Sequence, residues 1–151
     1  MTSDKAIISI LEEQIKTYKV FHDLLNRERA CLVNIESEKV DEISKVKDTV
    51  IMKLRLLEEE RQRLINLYAE GNGLELDVNL DKLGRLTGNN AFHEMRSQLL
   101  SLLQSIEEMN RVNSILINRS LNHIKTTTNF FNLFRKEYNP NTTGVLLSKE
   151  T

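Results

Sequence analysis

Apolar residues return along the first part of the chain at Ile7, Leu11, Ile15, Tyr18, Phe21, Leu25, Leu32 and Ile35, in steps of three, four or seven that draw one stripe on a helix. No glycine or proline interrupts the run, and Ser3 followed by Asp4 offers an N-cap and a first-turn carboxylate at the positive end of the helix dipole. The spacing predicts a helix over residues 4–35, roughly 48 Å long at about 1.5 Å per residue, a length that suits an elongated bundle better than a globule. The stripe then slips, because Val40 follows Ile35 by five residues. A chain reversal near residues 36–38, with Ser37 as the cap, fits this slip, and one continuous bent helix is the alternative. Beyond it Val40, Ile43, Val46, Val50, Leu54, Leu57, Leu64 and Tyr68 restore helical spacing and predict a second helix over 38–70. Asp41 with Lys45 and Glu59 with Arg63 place acid before base at i,i+4, a pattern expected of a solvated face.

Gly71, Gly73, Gly84 and Gly88, four of the five glycines, fall within residues 71–90 and make this connector the main break in the chain. Inside it Leu80, Leu83 and Leu86 suit a short helix or turn, which Gly84 weakens. A third stretch keeps a seven-residue rhythm through Met95, Leu99, Leu102, Ile106, Met109 and Leu116, then continues through Leu121, Ile124, Phe131 and Phe134. It predicts a helix over 91–138, stopped by Pro140, and a mobile tail over 139–151. The expected fold is all-α: an elongated antiparallel helical bundle of three long helices over residues 1–138, with a short middle helix and a flexible C-terminal tail.

Composition narrows the class. With 151 residues the chain suits one domain, and one proline and no tryptophan among so few turn residues argue against a sheet with many hairpins. Lys and Arg number 21 against 22 Asp and Glu, so no excess of positive charge draws the protein to nucleic acid or an anionic membrane. Basic residues are also interleaved with acids, as in Glu58-Glu59-Glu60-Arg61 and Arg135-Lys136-Glu137, which leaves no basic face for a DNA groove. The lone cysteine, Cys31, beside Leu32 on the apolar side of the first stripe, reads as a buried thiol in a reducing compartment. Neither a signal-peptide apolar run nor a stretch of about 18 apolar residues occurs, so a soluble, cytoplasmic protein without membrane insertion is expected.

Catalytic chemistry finds no constellation. His22, His93 and His123 lie on separate segments with no Glu three residues before any of them, and His93-Glu94 has Ser97 where a zinc-protease helix needs its second histidine. No phosphate-binding glycine motif occurs. No catalytic, cofactor or metal site is therefore expected.

Two features of the third stretch stand out. Asn118, Asn122, Asn129 and Asn132 project from the side opposite the stripe and read as solvent-facing, but Asn113 lies inside the apolar sector between Met109 and Leu116. A buried, unpaired amide costs about 1–3 kcal/mol, so Asn113 has a partner, marks register, or faces a groove. Phe130, Phe131, Phe134 and Tyr138 crowd four of the eight aromatic residues into the helix end, and Phe130 and Leu133 point away from the main stripe. Either a neighbouring segment covers this second apolar side or a foreign helix docks there. Val145-Leu146-Leu147 forms an apolar triplet in the polar tail, suited to a short recognition segment or to a tail that folds back.

The chain resembles the FlgN family of flagellar export chaperones. The likeness is carried by Leu24-Leu25 and Glu28-Arg29-Ala30 in the first helix, and by Lys47 with Leu56-Leu57-Glu58-Glu59-Glu60-Arg61 in the second. In the third it is carried by Asn110-Arg111-Val112-Asn113, Leu116-Ile117 and Ser120-Leu121, with Tyr138 and Gly144 beyond. The resemblance implies a small, non-catalytic cytoplasmic protein that binds flagellar hook-filament junction proteins and delivers them to the type III export apparatus. It places client contacts on Leu121, Ile124, Phe130, Phe131, Phe134 and Tyr138, to which the pattern itself adds Asn113, Val145, Leu146 and Leu147 as candidate partner-binding residues. The glycine-rich stretch 71–88 aligns with no feature of the family. The competing reading is a coiled-coil scaffold, a homo-oligomer in which the same stripes serve only self-association.

Overall fold

The apolar stripes fold as helices, and backbone geometry at three left-handed positions divides them. The structure, a computed structural model, describes residues 4–75 and 77–138; for residues 123, 124, 127, 130, 131 and 134–138 it describes the backbone alone. Four helices follow one another: α1 Asp4–Val33, α2 Ser37–Gly71, α3 Leu80–Thr87 and α4 Ala91–Tyr138, with no strand among the described residues. The chain divides into two compact units, residues 1–113 and 114–151, with the boundary inside α4.

α1 stops two residues before the expected Ile35 because Ile35 itself turns left-handed, at φ 57°. Its N–H donates to Leu32 O at 3.4 Å and the Glu36 N–H donates to Cys31 O at 2.9 Å, the paired bonds of a Schellman stop. α2 ends the same way: Gly73 sits at φ 65°, its N–H reaching Glu70 O at 3.2 Å while the Leu74 N–H reaches Ala69 O at 2.8 Å. Gly88 at φ 67° closes α3. The position that usually takes glycine is held at the first stop by a β-branched residue whose side chain is 86% exposed. The reversal is therefore real and the single bent helix is excluded. Ser37 does not cap α2; Glu36 occupies the cap position and Ser37 lies one residue inside.

In the first unit α1 and α2 run antiparallel, since Glu13 pairs with Lys53 and Glu28 with Lys47. Residues 91–113 of α4 run parallel to α1, with His22 bonded to Ser105 and Glu28 to Asn113. The main core gathers Ile7, Leu11 and Ile15 of α1 with Ile65 and Ala69 of α2 and Phe92 and Leu99 of α4. A smaller cluster of Phe21, Leu25 and Ile106 continues it. The predicted stripe of α2 faces inward, with Val50, Leu54, Leu64 and Tyr68 packed against the core, except at Val46, which is 48% exposed while its neighbour Lys47 is turned inward. Arg63 pairs with Glu60 at i,i+3 instead of with Glu59.

The connector is core structure, where the glycine content suggested a loose link. Val78, Leu80 and Leu83 are buried with Phe92 in the main cluster. Asn79 caps α3, its side chain accepting from the Lys82 N–H at 2.9 Å. Asp81 then ties α3 to α4 through His93 Nδ1 at 3.1 Å and Arg96 Nε at 3.3 Å. Gly84 is needed for close approach, because a Cβ there would stand 2.5 Å from His93 Nε2.

Two stability effects follow from this packing. Ile35→Asn removes a β-branched residue from the left-handed region without adding the unfolded-state freedom of glycine, and should stabilise by about 1 kcal/mol. A thermal melt should show that as a rise of about 2–4 °C. Leu83→Ala should cost about 2–5 kcal/mol in urea unfolding, as for any fully buried leucine, whereas a loose connector would give almost no change.

Candidate partner-binding surface and buried polar network

The second unit carries the C-terminal half of α4, where the sequence places most of its candidate contacts. Leu121 is 50% exposed and Leu133 is 68% exposed, so among the described residues both present apolar surface to solvent. Ile115, 41% exposed, shares a meridian of the helix with Leu133, and Leu121 lies about 120° around the axis from both. Asn118, Asn122 and Asn129 face solvent as expected, but Asn132 is only 8% exposed and belongs to the buried polar residues. The side chains of Ile124, Phe130, Phe131, Phe134 and Tyr138 lie outside the described residues, as do Val145, Leu146 and Leu147.

Asn113 leaves the list of surface contacts. It is 0% exposed, and its Nδ2 donates to Leu25 O and to Glu28 Oε1, each at 2.9 Å. Of the three readings of this residue, the internal partner is the one the geometry supplies. Glu28 is the centre of the arrangement. Its carboxylate also accepts from Lys47 Nζ, at 3.1 Å on Oε1 and 2.9 Å on Oε2. Three helices thus meet on one carboxylate, with the Lys47 side chain 16% exposed and that of Glu28 4% exposed.

A second polar group lies toward the other end of the same unit. Gln14, 1% exposed, donates from Nε2 to Glu58 Oε2 at 2.8 Å, and Arg61 Nη2 donates to Glu58 Oε1. This leaves Gln14 Oε1 and Arg61 Nε buried without a hydrogen-bond partner, a cost of about 1–3 kcal/mol for each group so left. Tyr18 stands beside them, and burial, then the Glu58 carboxylate, pushes its phenol above the ordinary value against the opposing pull of Arg61. These side chains floor a groove of about 490 Å³ walled by Leu99, Leu100 and Leu103 of α4.

The sequence held a signal for this network. Three of the seven-residue steps in the stripes, Leu25 to Leu32, Leu57 to Leu64 and Met109 to Leu116, pass over one inward position each, and those positions are Glu28, Arg61 and Asn113. Only Asn113 was singled out, because an amide is conspicuous in a stripe whereas charged residues are read as surface. Gln14, three residues after Leu11 and four before Tyr18, was missed for the same reason. Cys31 is half-buried and not enclosed as expected, since it lies in the last turn of α1.

Two of the three histidines link helices, His22 Nε2 to Ser105 Oγ at 2.8 Å and His93 to Asp81, while the side chain of His123 lies outside the described residues. Among the described residues no group of three potential metal ligands converges. No helix among them is long and apolar enough to cross a membrane.

The two kinds of ion pair should respond differently to mutation. Lys47→Met strips a donor from the buried Glu28 carboxylate and should destabilise the protein by about 3 kcal/mol. Lys53→Met breaks only the exposed pair with Glu13 and should leave the denaturant midpoint essentially unchanged. Equal effects in denaturant titrations would show that Glu28 does not depend on Lys47.

Comparison with known proteins bears on the same surfaces. Residues 1–143 match the family model described as FlgN protein. No curated protein and no solved structure matches the chain. The match spans nearly the whole sequence, including α1, the buried Glu28 network and the exposed end of α4. The chain belongs to the FlgN family, a family of flagellar export chaperones.

Proposed function

We propose that this protein is a cytoplasmic type III export chaperone for flagellar hook-filament junction proteins, which it binds through their terminal amphipathic helix and delivers to the export apparatus. The observation that carries the reading is the exposure of Leu121 and Leu133 on the C-terminal half of α4, in a chain of this family. An amphipathic client helix left free exposes an apolar face that drives premature assembly or aggregation. Laying that face on the leucines of α4 hides it, the familiar mode of a helix held in an apolar groove. Ile124, Phe130, Phe131, Phe134 and Tyr138 extend the contact by their place in the sequence, and Val145-Leu146-Leu147 would fold over the bound helix. Export requires release, so ordering the tail on binding usefully offsets part of the contact energy.

Calorimetry with a purified junction protein tests this. Leu121→Asp and Leu133→Asp each remove a side chain worth about 1.5–3 kcal/mol when covered. Each should weaken client binding by about tenfold or more while leaving the melting temperature unchanged. Truncation after Glu137 should leave residues 4–113 folded and weaken binding as well; unchanged affinity refutes the role of the tail. Light scattering separates the scaffold reading, for a concentration-independent oligomer indifferent to junction proteins is a self-association module and not a chaperone.

A further inference from the structure

The near balance of charge over the whole chain conceals an uneven distribution. Residues 114–136, all within the second unit, hold four of the 21 basic residues, Arg119, Lys125, Arg135 and Lys136, and none of the 22 acidic ones. Arg119 and Lys125 are exposed, and no carboxylate of their own helix can answer them, since Glu108 stands 11 residues before Arg119 and Glu137 stands 12 residues after Lys125. Exposed bases of the first unit behave differently: Arg63 pairs with Glu60 and Arg111 with Glu108, each three residues away. The two lone bases also adjoin the exposed apolar side chains. Arg119 follows Ile115 by four residues and Lys125 follows Leu121 by four, one turn along the same side of α4.

A partner that covers Ile115 or Leu121 therefore brings its own next turn beside a cation. A carboxylate at that place gains a charge-assisted contact, whereas a base there is repelled. An anionic lipid surface would supply negative charge as well, but it takes up a helix through one broad apolar face. Here Ile115 and Leu121 lie about 120° apart, and the exposed amides of Asn118, Asn122 and Asn129 occupy the arc between them. A protein helix with mixed polar and apolar side chains matches such an arc. We propose that the C-terminal half of α4 selects a partner helix edged with Asp or Glu, placed one turn from the apolar residues that cover Ile115 and Leu121. This rests on the client-binding reading above and adds the charge that the client helix must carry. The carboxylates steer the encounter and set the register, while the apolar contacts hold the bound helix.

The test is a calorimetric titration of the full chain with two synthetic helical peptides that share one leucine stripe, the first edged with glutamate and the second with lysine. The glutamate peptide should bind about fivefold or more tightly than the lysine peptide. That gap should narrow as sodium chloride is raised from about 50 to 500 mM, because the charges are exposed. The joint replacement of Arg119→Glu and Lys125→Glu should reverse the order of the two peptides and leave the melting temperature unchanged, since both side chains face solvent. Equal binding of the peptides, binding of neither, or an order that the double variant does not reverse overturns the proposal. So does capture of the chain by phosphatidylglycerol vesicles that the double variant abolishes, which makes a membrane the occupant. A purified junction protein tells the two readings apart. If it binds the unaltered chain and the double variant equally, the charge selection falls and the chaperone reading stands. If it binds neither, the chaperone reading falls, and the peptide pair alone decides the charge selection.

Discussion

A carboxylate enclosed on all sides is tolerable only where donors reach it, and Glu28, 3% exposed, draws them from two other helices. Lys47 supplies an ammonium from α2 and Asn113 an amide from α4. Because each donor must arrive at about 2.9 Å, this one side chain on α1 sets the axial register of both neighbours. A slip of either by one turn, about 5.4 Å, would strand the charge. Apolar side chains alone would not discriminate so sharply, since a leucine stripe packs nearly as well one turn along. The first compact unit ends at the residue that completes this contact, Asn113.

The opposite end of the unit is closed by different means. α3 and the residues before it place Val78, Leu80 and Leu83 against Phe92, and Asp81 holds His93 and Arg96 of α4. Glycine here permits close contact as well as a turn: Gly84 gives room to the His93 ring, while Gly73 and Gly88 provide the left-handed stops. The connector therefore works as a plug on the core. It also supplies one wall of the groove above Gln14 and Arg61, so the same segment that completes the packing shapes a recess.

These arrangements divide the chain by role. Residues up to Asn113 enclose the Glu28 network and form one compact unit. Beyond it α4 continues with Leu121 and Leu133 turned to solvent, the surface on which the proposed client contact rests. The FlgN match spans both units.

The sequence by itself determined the all-helical class and the identity of the long segments, because helical periodicity and the scarcity of glycine and proline are local properties that neighbouring chain segments do not alter. It also marked Asn113 as exceptional, through an amide in an apolar sector. Tertiary structure decided what periodicity cannot express. Whether Lys47 or Val46 faces inward depends on where the carboxylate of Glu28 lies, and whether a glycine-rich connector is loose or buried depends on the surface offered by Phe92 and Ile7. The end of α1 was hidden too, since Ile35 takes the left-handed conformation for which glycine is the usual sequence sign. Polar residues inside the stripes were read as surface for a physical reason: a charge becomes tolerable in a core only through partners from distant segments, and those partners are visible only once the chain has folded.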